Sequence, residues 1–88
     1  MSWVYRFDSR ALKELRKLGY PAQKLIIDYL DIRISGDEDP RRFGKALKAG
    51  LVGLWRYRIE DYRLICQIQD QELTVLIVTV GHRSQIYR

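Results

Sequence analysis

Three arginines lie close together between residues 53 and 67, in the stretch GLWRYRIEDYRLICQ. Arg56 and Arg58 precede an acidic dipeptide, and Arg63 follows it. A guanidinium group stays protonated near neutral pH and binds phosphate through paired hydrogen bonds. These residues therefore have the chemistry to hold a phosphate group and to stabilise negative charge that develops on it in a transition state.

The segment VGHRSQIYR follows the last apolar run and adds further polar groups. We expect Gly81 to end the last strand, so that His82, Arg83 and Tyr87 turn back toward the edge of the sheet. A lone histidine is more often a surface or core residue than a catalyst, and Tyr87 fits a packing role equally well. The segment is a candidate extension of the arginine cluster.

Other site chemistries are excluded by simple counts. The chain has one histidine and one cysteine, Cys66, which cannot form a disulfide or a zinc site of the usual ligand number. The stretch 44–46 is not part of a phosphate-binding GxxxxGKS or GxxxxGKT loop, and there is no GxGxxG. Ser84 lies close to His82, but nothing around it resembles a nucleophile turn. We therefore expect no metal ion and no cofactor.

The composition is that of one small globular domain spanning residues 1–88, with 47% hydrophobic and 31% charged residues. No apolar leader is present, and the longest apolar run, Leu73 to Val80, is too short for a bilayer, so we expect a cytosolic protein without a membrane partner. The net charge is +5, and all of the excess follows residue 40, where nine Lys or Arg face four Asp or Glu. This suggests a polyanionic partner, usually nucleic acid, although a solvated basic face fits equally well.

The hydrophobic pattern predicts an α+β fold in the order strand, two-helix hairpin and three strands. Alternation over Trp3 to Phe7 indicates the first strand, and Asp8 or Ser9 can cap the first helix. Pro21 suits the first turn of the second helix, which should stop near Gly36. A basic loop with one helical turn follows. The last three strands are predicted to form an antiparallel meander, from Leu54 to Ile59, Tyr62 to Ile68 and Leu73 to Val80.

The turn between the first two strands of this meander predicts their register. A symmetric turn at Glu60-Asp61 places Arg58 directly opposite Arg63. Period-two alternation then puts the aromatic and aliphatic side chains on one face, which the helices should cover, and the arginines on the other. Like charges directly opposite each other destabilise a hairpin by up to about 1 kcal/mol. Either nearby carboxylates neutralise the arginines, or the face binds an anion.

Three segments of the sequence together match the pattern of a known family. They are FDSRALKELRKL near the start, GLWRYRIEDYRLIC in the middle and VGHRSQIYR at the end. In this order and spacing they resemble the RelE/ParE superfamily of toxins from bacterial type II toxin-antitoxin systems, on the RelE side. The resemblance spans essentially the whole chain and implies a RelE-like version of the α+β fold.

The resemblance also implies a ribosome-dependent endoribonuclease that cleaves mRNA in the ribosomal A site without a metal ion. In such toxins the ribose 2′-hydroxyl attacks the adjacent phosphate and leaves a 2′,3′-cyclic phosphate. Arg63 and Arg83 would hold the scissile phosphate, and Tyr87 would orient or deprotonate the 2′-hydroxyl. Carried onto this sequence, the catalytic positions are Arg56, Arg58, Arg63, Arg83 and Tyr87.

Two alternatives stay open for the general acid. Arg56 or Arg58 would interact with the leaving 5′-oxygen, but a guanidinium is a poor proton donor, and some relatives have lysine at these positions. His82 is the alternative acid. The residues expected to bind substrate are Lys45, Lys48 and His82.

A cognate antitoxin is implied as the protein partner, with an acidic, amphipathic segment that covers the basic face and lies in an apolar groove beside the helices. Two other functions stay open. A ParE-type toxin with the same fold would inhibit DNA gyrase and would not need the arginine and tyrosine site. A non-catalytic basic module would bind nucleic acid electrostatically, lose affinity steeply with salt and leave mRNA intact.

Overall fold

The computed structural model of the chain describes residues 2–47 and 53–86. The strands of this part are β1 at Val4–Phe7, β2 at Lys45–Ala46, β3 at Leu54–Ile59, β4 at Tyr62–Gln69 and β5 at Thr74–His82. The helices are α1 at Ser9–Arg16, α2 at Tyr20–Tyr29 and α3 at Arg83–Ile86. The strands form one sheet in the order β1-β5-β4-β3-β2. The α+β class and the antiparallel meander β3-β4-β5 predicted from the sequence are confirmed.

The first strand pairs in parallel with the last, so that Val4 is opposite Thr74 and Phe7 is opposite Ile77. Asp8 caps α1 as predicted, because its carboxylate accepts a hydrogen bond from the Ala11 N–H at 2.8 Å. In the described part of the chain, no helix has the length and apolar character needed to cross a membrane.

The second helix does not end at Tyr29 but continues as a wider π-helical turn over Leu30–Ile34. Its end is joined to the first strand, since the Trp3 N–H donates to the Gly36 carbonyl at 2.7 Å and the Gly36 N–H donates back at 3.2 Å. The prediction that this helix stops near Gly36 is confirmed.

The core lies between α1, α2 and one face of the sheet. The helices contribute Ala11, Leu15, Ile26 and Leu30, and the sheet contributes Tyr57, Ile59, Leu64, Cys66, Val75, Ile77 and Val80. The hairpin residues in this group are those that alternation assigned to the helix-covered face, so that prediction is confirmed. Burial raises the pKa of the Cys66 thiol, which favours a protonated core residue.

Two predictions about strands need correction. Gly81 does not end β5, because the strand continues through His82 and Gly81 lies opposite Arg63. The basic loop contains the predicted helical turn, at Pro40–Arg42, but also the unpredicted strand β2. A strand of two residues is too short to show alternation, so the hydrophobic pattern could not reveal it.

Candidate anion-binding site at one end of the sheet

The sheet register brings the predicted arginines together. Arg58 is directly opposite Arg63, and Arg56 is opposite Ile65. Directly opposed residues project from the same face of a sheet, and this face is the one away from the buried side chain of Tyr57. The predicted pairing of Arg58 with Arg63 is therefore confirmed, with two positive charges in direct opposition.

A second like-charged pair lies beside the first. Lys45 of β2 is directly opposite Arg56 of β3. The two pairs thus follow one another along the same face of β3. We call this set of residues the basic face: Lys45, Arg56, Arg58 and Arg63.

Gly44 permits the close approach of β2 to β3. Its φ is +77°, and a Cβ added there would collide with the Arg56 carbonyl and lie 2.6 Å from Nε1 of Trp55. That indole nitrogen donates to the Phe43 carbonyl at 2.7 Å. The glycine next to Lys45 was the one local sign in the sequence that the chain passes closely along another element here.

Arg63 is 5% exposed. Its Nη1 donates to the backbone carbonyls of Glu60 at 2.7 Å and Tyr62 at 2.8 Å. Glu60 has a φ of +52°, a left-handed conformation that costs a non-glycine residue about 1–2 kcal/mol. Arg63 therefore stabilises the turn. Both acceptors are neutral, so these two bonds order the guanidinium without cancelling its charge.

Arg83 reaches the same turn from the end of β5. Its backbone N–H donates to the Asp61 carbonyl at 2.7 Å, and its Nε lies 3.9 Å from the Asp61 carboxylate. The two side chains are 59% and 66% exposed, so the ion pair is weak and open to exchange with another anion. The structure thus brings Arg63 and Arg83 to one hairpin turn.

Counter-charges are distributed unevenly around this turn. The Asp61 carboxylate faces Arg83. Arg58 is exposed, and no carboxylate of residues 2–47 and 53–86 lies within ion-pair distance of it. Since its repulsion from Arg63 is not offset by an ion pair of its own, the surface at Arg58 is suited to binding an anion.

His82 lies on the other face of the sheet. It is directly opposite Tyr62, and the two rings pack edge to face with centroids 5.9 Å apart. Its Nδ1 lies 3.0 Å from Oγ of Ser84. The structure therefore does not bring His82 to the basic face. Lys48 and Tyr87 fall outside the described residues, so their expected roles stay predictions.

A model of the family described as ParE toxin of type II toxin-antitoxin system, parDE, matches residues 5–87. The chain belongs to this toxin family. Toxin RelG of Mycobacterium tuberculosis is 34% identical over 88 residues, which cover 100% of this chain and 99% of the relative. The mRNA interferase toxin RelE of Escherichia coli is 32% identical over 91 residues, which cover 99% of this chain and 92% of the relative.

Solved structures of these toxins share the fold. The toxin-antitoxin complex RelBE2 from M. tuberculosis contains a chain that matches with a TM-score of 0.85 and 31% identity, over 96% of this chain and 94% of that one. The archaeal RelE-RelB complex from Pyrococcus horikoshii matches with a TM-score of 0.72 and 21% identity, over 97% of this toxin and 99% of that chain. The resemblance to the RelE/ParE superfamily is confirmed.

Proposed function

We propose that this toxin is a ribosome-dependent endoribonuclease that cleaves mRNA in the ribosomal A site. The supporting observation is the placement of Arg58 directly opposite Arg63, with Arg83 at the same turn. A phosphate bound between these guanidiniums offsets their repulsion, and the benefit grows as the phosphate gains negative charge in the transition state. The relative from E. coli named an mRNA interferase supports the same activity.

The proposed reaction exchanges one bond to phosphorus for another. The ribose 2′-oxygen forms a bond to the adjacent phosphorus while the bond from phosphorus to the 5′-oxygen breaks. The 2′-hydroxyl proton passes to a base, for which we propose Tyr87, and the 5′-oxygen takes a proton from an acid. The products are a 2′,3′-cyclic phosphate and a 5′-hydroxyl, and we propose that no metal ion or cofactor takes part.

The positions of the side chains suggest a division of roles. Arg83 is exposed and would contact the phosphate directly. Arg63 would supply a fixed positive charge from its buried position under the turn. At the leaving 5′-oxygen we prefer Arg56 or Arg58 to His82, because His82 projects from the opposite face. A guanidinium there would stabilise the negative charge on this oxygen, which then takes its proton from water. We propose that Lys45 and Lys48 hold the phosphates on either side.

We also propose a cognate antitoxin as the partner in the cytoplasm. RelBE2 of M. tuberculosis and RelBE of E. coli were both solved as toxin-antitoxin complexes. An acidic, amphipathic antitoxin segment would neutralise the basic face and so prevent phosphate binding. The excess of basic residues after residue 40 supports this complementarity.

One alternative is favoured by the family description, which names ParE toxins. A ParE-type toxin would inhibit DNA gyrase and leave mRNA intact. The two functions are separated by running a gyrase supercoiling assay beside the cleavage assay with the same protein preparation.

The proposed function is tested with Arg83→Ala and a matched control, Arg16→Ala, which removes an exposed charge from α1. Primer extension on an mRNA translated in a reconstituted system should show cuts within A-site codons for the wild type. We expect Arg83→Ala to reduce the rate about 100-fold or more, the usual effect of losing one transition-state donor. Arg16→Ala should cleave like the wild type. Intact mRNA with inhibited gyrase would assign the ParE activity instead.

A further inference from the structure

A groove of about 360 Å³ lies between α2 and the end of β3. Arg33, Arg58, Tyr29 and Phe43 are among the residues that line it. Because Arg58 also belongs to the basic face, the groove continues that face around the side of the sheet. A strand of RNA held at the hairpin turn would therefore have an adjoining site within reach.

Aromatic rings hold the side chain of Arg33 in this groove. Its guanidinium carbon lies 5.7 Å from the ring centroid of Tyr29 and 5.1 Å from that of Phe43, which are distances of favourable cation–π contacts. Arg42 lies 4.6 Å from the Phe43 centroid. Phe43 thus contacts two guanidiniums, and these contacts favour the placement of Arg33 in the groove.

The groove has an excess of positive charge. Arg42 pairs with Glu38 at 3.6 Å, whereas Arg33 has no carboxylate within ion-pair distance among the described residues. Of the two carboxylates in the lining, Asp28 is bound by Lys24 at 3.0 Å. Glu60 is then the remaining lining carboxylate that can oppose the two positive charges of Arg33 and Arg58. The groove is therefore suited to an anionic ligand.

We propose that this groove binds a nucleotide that flanks the scissile phosphate, with its phosphate on Arg33 and Arg58 and its base against Phe43 or Tyr29. Arginine and aromatic side chains placed together are the usual receptors for single-stranded RNA. The groove has the volume of a small-ligand pocket, about 300–1,000 Å³. This inference rests on the proposed nuclease function and adds a substrate subsite to it.

The test measures the cleavage rate of ribosome-bound mRNA as a function of toxin concentration. We expect Arg33→Gln and Phe43→Leu to raise the toxin concentration for half-maximal rate about five- to tenfold and to leave the maximal rate unchanged, because Arg33 and Phe43 would bind the flanking nucleotide and take no part in the reaction. Arg16→Gln removes the same charge elsewhere and should change this concentration less than about twofold. Because Arg33 is exposed, we expect Arg33→Gln to fold. This variant tests the subsite if Phe43→Leu fails to fold.

A second arm identifies the ligand as a nucleotide. The mRNA is prepared with one base missing at each position next to the cleaved bond in turn. At one of these positions the wild type and Phe43→Leu should require the same toxin concentration. An RNA that lacks the stacking base gains nothing from the Phe43 ring of the wild type, so the loss of that ring has no further effect. An effect of equal size at every position would overturn the inference.

Failure of this inference is distinguishable from failure of the proposed function. Groove variants that match the wild type, while Arg83→Ala stays inactive, would overturn the subsite and leave the nuclease intact. Groove variants that cleave normally but escape inhibition by the antitoxin would assign the groove to an acidic protein segment and overturn the nucleotide assignment. A wild-type protein that never cleaves mRNA would overturn both.

Discussion

Arg41 and Arg58 show two uses of one side chain in the same small domain. Arg41 donates two parallel hydrogen bonds to the Asp70 carboxylate, at 2.8 and 2.6 Å. Arg58 lies opposite Arg63 instead, with no carboxylate of the described residues within ion-pair distance. The positions of the carboxylates, more than those of the arginines, therefore separate the structural surface from the candidate functional one.

The region around Arg41 joins a loop to the sheet. Arg41 belongs to the turn Pro40–Arg42, and Asp70 begins the connection from β4 to β5. In the same place the hydroxyl of Tyr57 donates to the Pro40 carbonyl at 2.8 Å inside the core, and burial raises the pKa of that phenol. Each of these polar groups has a partner within the fold, as expected of a region that only supports structure.

The largest expected effect comes from replacing Arg58 or Arg41 by alanine in two separate variants. Arg58→Ala should reduce mRNA cleavage about 100-fold, while its free energy of unfolding stays the same or rises by up to about 1 kcal/mol as the opposed charges are relieved. Arg41→Ala should cleave normally and unfold at lower urea concentration. Primer extension and urea denaturation measure the two quantities. Equal losses of cleavage in both variants would remove the distinction between the regions.

Arg63 is expected to combine both uses, because it is buried and also lies on the basic face. Arg63→Ala leaves the Glu60 and Tyr62 carbonyls without their donor and should lower the free energy of unfolding by about 2–3 kcal/mol. Urea denaturation of the wild type, Arg63→Ala and Arg58→Ala, run side by side, measures this loss of stability and compares two arginine-to-alanine variants. An unchanged midpoint for Arg63→Ala would mean that the turn does not need its guanidinium.

The smallest effect is a pH dependence confined to the Arg41 region. The hydrogen bond from Arg41 holds the pKa of the Asp70 carboxyl below its ordinary value of 3.8. A carboxyl whose pKa is lower in the folded state stabilises the fold above its unfolded pKa, and this stabilisation is lost as the pH falls through the folded value. The stability difference between wild type and Asp70→Asn should therefore be full at pH 7 and shrink below pH 3.8. Urea titrations across this range would contradict the assignment if the difference stayed constant.

The sequence predicted the parts of the site that depend on local pattern. Alternation and a two-residue turn were enough to place Arg58 opposite Arg63. The burial of Arg63 was not predictable, because charged side chains are rarely buried and its acceptors are backbone carbonyls. The sequence did not predict which face of the sheet His82 lies on, because Gly81 was expected to end the strand. A glycine that is paired inside a sheet can instead continue the strand.

Contacts that join distant parts of the chain were also beyond the sequence. Arg33 and Phe43 belong to different elements, and no periodicity links a helical residue to a loop residue. Their contact at 5.1 Å exists only because the π-helical turn and the loop pack together. The sequence therefore predicted the placement of Arg58 opposite Arg63, but not the contact of Arg33 with Phe43.

The parallel pairing of β1 with β5 has a consequence for the synthesis of this toxin. The Val4 N–H donates to the Leu73 carbonyl and the Asp8 N–H to the Ile77 carbonyl, both at 2.9 Å. At about 5–20 residues per second, the first strand waits on the order of 4–15 s for the strand it joins. The nascent chain cannot complete its sheet during that interval. The toxin should therefore become active only after most of it has been translated. An antitoxin already present can then bind the toxin as soon as its sheet is complete.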